Sequence, residues 1–396
     1  MDRPKVRFVN VQPIVHEGKE LIMLADMEGI TESPLVVSRD VLFLISLMDG
    51  TRTLRDLQEA YMRRFGSLIF MERLEEIIEL LDKHLLLQNE RFESHLQTLK
   101  ERFEAESERR PFHAGKSYPA EREELLRYIR GFLSDHSTAE VGRLRGIFSP
   151  HIDYRRGGHV YGSVYGYLKG VEAQLIVILG TSHKPTDRLF SVSSKDFLTP
   201  LGRLTNLLSM RPELRAWSFF QVFMDEWPHR TEHSIELQLP FIQYFLGERQ
   251  IQILPILVGP IEDSMWDSVE KKRIDAAIEG LREVLEASQT PYLVLSAVDL
   301  AHIGLQFGEE PVDEFSLLIS RRKDEMLLGY MERVDPEGFF SLIREEKNER
   351  KVCGFSPLYV QLRLLQGCKG RIVKYEQWTD CMSSVSFASG IFYESQ

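Results

Sequence analysis

The chain has 396 residues, of which 43% are hydrophobic and 28% charged, with a net charge of −11. That apolar share supplies full cores and excludes disorder over most of the length. The negative field repels phosphate and so excludes nucleic-acid binding by the whole surface. Three cysteines, Cys353, Cys368 and Cys381, are too few and too clustered for a disulfide scaffold and fit a reducing compartment. The first residues, MDRPKVRFVN, lack an apolar h-region, and no apolar run approaches the roughly 20 residues of a membrane helix. A cytoplasmic protein with no membrane span is expected.

Residues 1–90 read as a small module. Glu20 to Met27 is strand-like. A helix begins near Ser38 with Val41, Leu44, Ile45 and Met48 inward and stops at Asp49-Gly50. A second begins at Thr53, where Asp56 three residues on suggests a capping box, and puts Leu54, Leu57, Ala60 and Tyr61 on one face. A third spans about Phe70 to Lys83 with Leu74, Ile77, Ile78 and Leu81 inward. Leu85-Leu86-Leu87 reads as a short strand. Three helices and a ribbon suggest a winged-helix-like unit. The third helix carries Glu72, Glu75, Glu76, Glu79 and Asp82, which would face phosphates badly, so docking of a peptide or protein is expected over DNA.

Residues 91–110 are charge-rich and read as an exposed linker helix. From 111 to 396 short apolar runs alternate with helical periods. Strands are expected at Arg145–Ser149, Leu175–Leu179, Phe219–Phe223, Ile253–Val258, Tyr292–Ala297, Arg371–Tyr375 and Val385–Tyr393. Helices are expected at Ala120–Ser134 and Lys271–Ala287. This alternation predicts an α/β domain, a central mixed sheet flanked by helices.

The histidines fall at strand ends. His151 follows the first strand in SPHIDY, His183 the second in LGTSHKP, and Asp299 and His302 a third in LSAVDLAHIG. In open α/β sheets, ligands bind beyond the carboxyl ends of strands. Any one of these residues alone would ordinarily be structural; their convergence on one edge marks a site. His233 and Glu236, three apart in TEHSIELQLP, would share a helical face. Cys353 precedes a strong helical period, where the helix dipole favours a thiolate, a good metal ligand or nucleophile. Asp299 would orient His302. His16, His84, His95, His136, His159 and His229 are left as structural residues. Imidazoles with a thiolate suit zinc, copper or iron rather than magnesium or calcium, and three protein ligands leave a position open.

At these residues the sequence resembles the Memo family, also known as protein B of the AmmeMemoRadiSam system. HAGKSYP at 113–119 resembles the family's HAGSWYP, and SPHIDYRRGGHVYGSVYGYL at 149–168 its APHAGYxYSGxxAAxAY. ILGTSHKP at 178–185 resembles ILGPSHH, and EHSIELQLPFIQ at 232–243 is close to EHSLEVQLPFL. ILPILVG at 253–259, SAVDLAHIG at 296–304 and VCGFSPLYV at 352–360 follow in order. The chain departs from the pattern at Ile152-Asp153, where the family has Ala-Gly, at Gly157, where it has Ser, and at Lys184, where it has His. Asp153 adds a carboxylate near His151, which would tune the site or add a ligand.

The resemblance implies a fold like that of class III extradiol dioxygenases and a mononuclear metal, iron or copper foremost and zinc as the alternative. It implies His151, His183 and Cys353 as ligands, with His302, Asp299 and His233 as catalytic residues in the same pocket. The stretch LVVSRDVLFLISLMDGTRTLRDL at 35–57 resembles PqqD-like domains, which dock peptides by strand addition. The expected function is therefore a metal-dependent redox protein with a radical-SAM partner. The alternatives are a non-catalytic metal- or peptide-binding adaptor and a zinc hydrolase.

Overall fold

A computed structural model describes all residues except 1, 17, 27, 32, 134–140, 185, 248, 262–266 and 395–396. The chain divides into two compact units, Met1–Ala105 and Glu106–Gln396.

The first unit opens with an antiparallel sheet of β1 (Asn10–His16), β2 (Lys19–Ala25) and β3 (Leu35–Val37), in that order. Helices Arg39–Leu47, Leu54–Phe65, Met71–Lys83 and Glu90–Ala105 follow. Thr53 and Asp56 close the anticipated capping box, each side chain accepting from the other's backbone amide. The inward residues of the three periodic helices pack with Ile22, Leu24, Leu35 and Val37 of the sheet. Leu85–Leu87 is not a strand. Leu85 has φ 55°, which ends the helix before it, and leaves only an isolated bridge between Leu87 and Val6. Met27, the expected end of the first strand, lies outside the described residues.

The charged segment 91–110 contributes the helix Glu90–Ala105 to the first unit and a two-residue strand, β4 (Glu108–Arg109), to the second.

The second unit holds β5 (Leu144–Ser149), β6 (Leu175–Thr181), β7 (Phe190–Val192), β8 (Asp196–Thr199), β9 (Gly202–Asn206), β10 (Gln252–Val258), β11 (Tyr292–Ala297), β12 (His302–Gly304), β13 (Lys369–Thr379) and β14 (Ser383–Tyr393). With β4 they form one mixed sheet in the order β12-β14-β5-β11-β6-β10-β9-β8-β4; β13 pairs with β14 and β7 with β10. Strands β5, β11, β6 and β10 are parallel neighbours and β14 runs antiparallel to β5. Alternate residues of β6 feed opposite faces: Leu175, Val177 and Leu179 enter one core cluster, Ile176 and Ile178 the other. Helices cover both faces, which is why the central strands read as unbroken apolar runs.

One expected strand is a helix. Ser218–Phe223 is helical and buries Phe219 and Phe220, with both Phe219 and Phe223 against Phe190. A five-residue apolar run fits a short strand and a buried helical turn equally, and here packing chose the helix. The expected helix 120–134 is seen over Arg122–Arg130; Ser134 lies outside the described residues. Among the described residues no helix is long and apolar enough to cross a membrane.

Candidate metal centre

Three adjacent strands bring the site together. In the order β5-β11-β6, His151 stands two residues past β5, Asp299 two past β11 and His183 two past β6. His233 begins the short helix His233–Glu236, which is seated on β6 through Ser234 Oγ donating to the Thr181 carbonyl at 2.9 Å. Gly180 makes that seat possible, because a Cβ there would lie 2.6 Å from Ile235 and 2.7 Å from Ser234 Oγ. His151, His183 and His233 each present a nitrogen, and the three atoms lie within 4.8 Å of one another.

The other ring nitrogens are tied down. His151 Nδ1 is 2.9 Å from the Ala297 carbonyl, which only accepts, so Nδ1 carries the proton and Nε2 the lone pair. Glu232 Oε1 accepts from Nδ1 of both His183, at 2.9 Å, and His233, at 3.2 Å. Its other oxygen accepts from the His183 amide at 3.1 Å. All three Nε2 atoms are therefore available as donors to a metal, and one buried carboxylate fixes two of the three rings. Glu232 was not anticipated; its one signal was its place directly before His233 in EHS.

Burial, then the neighbouring His183 and His233, push His151 well below the ordinary imidazole range, so it is neutral and its lone pair is free. Burial opposes ionisation of Glu232, yet His183 and His233 hold it well below the usual carboxylate range. Burial likewise opposes protonation of His233, but the bond to Glu232 outweighs it and raises that imidazole. His183 and His233 remain about a third exposed, so the cluster opens to solvent on their side.

Cys353 Sγ lies 3.4 Å from His151 Nε2 and 3.8 Å from the Asp299 carbonyl. Burial and then the Asp299 charge push this thiol well above its ordinary value, so the expected thiolate is not favoured by the helix start alone. Asp299 does not hold His302. Its Oδ1 accepts from the amides of His151 at 3.0 Å and Ile152 at 3.2 Å, and so fixes the turn that carries His151. Burial raises the Asp299 carboxyl above the usual range. His302 Nδ1 instead faces the carbonyls of Leu300 at 3.1 Å and Lys351 at 3.2 Å. Burial lowers its imidazole.

Asp153 caps the helix Tyr154–Tyr165 and pairs with Arg156 at 2.5 Å. Glu236 makes no hydrogen bond to the three clustered histidines among the described residues and is buried against Arg109, Tyr118 and the amides of Phe112 and His113. His136 lies outside the described residues. A cavity of about 710 Å³ lies at the opposite, amino-terminal end of β10, lined by Gln252, Arg203 and Arg249.

Fold and cluster together define an α/β protein with a three-histidine centre at the carboxyl edge of a mixed sheet. Sequence comparison agrees with that class. Residues 109–391 match the profile of the Memo-like proteins. A MEMO1 family protein of Aquifex aeolicus is 34% identical over 396 residues, covering 99% of this chain and 100% of that one. The MEMO1 family protein TTHA0924 of Thermus thermophilus is 29% identical over 83% of this chain and 94% of its own. The memo-1 homolog of Caenorhabditis elegans is 26% identical over 71% and 81%. The chain belongs to the Memo-like family.

Proposed function

We propose that the protein is a metal-dependent redox protein whose single iron or copper ion is held by His151, His183 and His233, with Cys353 beside them as a further donor. The observation that carries this reading is the inward set of three Nε2 atoms, each with its Nδ1 fixed by a carbonyl or by Glu232. The donor set fits. Imidazole and sulfur suit iron, copper and zinc. The 3.4 Å from Cys353 Sγ to His151 Nε2 is close to the roughly 3.5 Å edge expected between N and S ligands of one tetrahedral ion. His233 thus joins the set expected from sequence.

A bound iron or copper ion would supply a one-electron centre. The protein's own residues do the rest. Glu232 and the Ala297 carbonyl hold the rings in one tautomer. Asp299 fixes the turn carrying His151. His302, with Nδ1 on backbone carbonyls, is left to give or take a proton at Nε2. Phe307 packs against its ring in a T-shaped contact at 5.1 Å.

The N-terminal unit is proposed as the docking module of a PqqD-like type, serving a radical-SAM partner within an AmmeMemoRadiSam-type system in which this chain is protein B. Supporting this, β1 is an outer strand of its sheet, available for strand addition. Protection of the Asn10–His16 amides from exchange on adding the partner enzyme is the expected result.

Metal content measured by plasma mass spectrometry on protein purified without oxygen tests the central reading. Near-stoichiometric iron or copper is expected, lost in His183→Ala and reduced in Cys353→Ser. A folded protein that binds no metal would overturn it and favour the adaptor. A zinc hydrolase is the second reading, favoured by three neutral-capable imidazoles with an open side. Stoichiometric zinc that survives Cys353→Ser would select it.

A further inference from the structure

His302, Val385 and Trp378 stand in one row across three antiparallel strands, since β12 pairs His302 with Val385 and β13 pairs Trp378 with Val385. Residues paired in this way share a face of the sheet. On that face a small apolar cluster forms apart from the two main cores. Ile152, Val160, Val385 and Phe387 are buried in it, and Phe307 and Trp378 are half-buried against them. One end of the strip is His302 on Phe307. The other is Arg156, whose guanidinium carbon lies 4.6 Å from the centre of the Trp378 ring. Asp153 holds Arg156 by Nε; among the described residues neither Nη nitrogen makes a hydrogen bond.

Most of this wall comes from one stretch of chain, which carries Ile152, Asp153, Arg156 and Gly157. Two of them are coupled by space: a Cβ on residue 157 would lie 2.4 Å from Ile152 Cγ2, so Ile152 requires glycine there. Asp153 aims Arg156. Together these residues make an apolar wall next to His151 that ends in a cation.

We infer that this strip is a substrate subsite, and that it takes an organic acid. The apolar body lies along Ile152, Phe307 and Trp378, and the carboxylate meets the Nη nitrogens of Arg156. The inference rests on the proposed function, because Ile152 adjoins His151 and His302 closes the strip.

The test titrates phenylacetate and its neutral counterpart 2-phenylethanol into the full chain after chelator treatment, by calorimetry, with circular dichroism to check each variant's fold. Phenylacetate is expected to bind about tenfold tighter than the alcohol, the effect of one charge-assisted contact. That preference disappears in Arg156→Gln and returns in Arg156→Lys. Trp378→Ala weakens both ligands, and His183→Ala changes neither. Acid binding that survives Arg156→Gln but vanishes in His183→Ala would put the carboxylate at the histidines and overturn the subsite while leaving the metal reading intact. The expected pattern in a protein that takes up no metal would sink the metal reading and leave the subsite standing. Equal affinity for acid and alcohol, or no binding of either to folded protein, overturns the subsite.

Discussion

Glu232 and Glu236 stand one helical turn apart, both buried, and do opposite work. Each accepts two backbone amides: His183 and Ser234 at Glu232, Phe112 and His113 at Glu236. They differ in what completes the shell. Glu236 is closed by Arg109 and by the Tyr118 hydroxyl, groups that are themselves buried. Glu232 is completed by two imidazoles whose far nitrogens face an open cluster. A carboxylate saturated by fixed donors is structural. One that ends on imidazole rings passes its orientation on to them.

The largest effect should come from breaking the closed pair. Glu236→Ala leaves the Arg109 guanidinium buried without its counter-charge, and is expected to cost about 3–5 kcal/mol in chemical denaturation. Its acid dependence follows the same pair. Burial raises the Glu236 carboxyl, but Arg109 first and then its other partners bring it below its ordinary value. A depressed folded value means stabilisation that is present above the unfolded value, about 4.3, and is lost as pH falls through the folded one. Urea unfolding measured from pH 6 to pH 3 should therefore show a decline in that window, shallower in Glu236→Gln.

Next comes the open carboxylate. Glu232→Gln keeps its shape but weakens its hold on two rings, and should lower metal affinity about 10–100-fold in competition with a chelator. Its loss of stability should be smaller than that of Glu236→Ala. If the two variants lost stability and metal in the same proportion, the division between them would fail. The smallest change is Tyr118→Phe, which removes one bond to a charged acceptor. About 1.5 kcal/mol of stability should go, read by the same denaturation, with metal affinity unchanged.

Much of this was legible beforehand because strand runs and strand-end histidines are local signals. Tyr292–Ala297 has the bounds its apolar run suggested. His151, His183 and Asp299 each lie two residues past a strand, as their motifs suggested, whereas His302 opens the next strand, β12. What was not legible depends on distant partners. Phe219–Phe223 carries too few residues to reveal its period, and its contact with Phe190 decided its state. Glu232 looked like any acidic residue before a helix until β6 set His183 beside it.

Sequence by itself determined the alternation of strands and helices, the edge to which the histidines go and the family resemblance, because each is written in short stretches of chain. Tertiary structure alone decided which residues meet there. It joined His233 to His151 and His183, turned Asp299 from His302 to the amides of 151 and 152, and sent Glu236 to Arg109. Those choices depend on close approaches such as Ile235 over Gly180, and on which buried charge finds a partner, which only the packed sheet can settle.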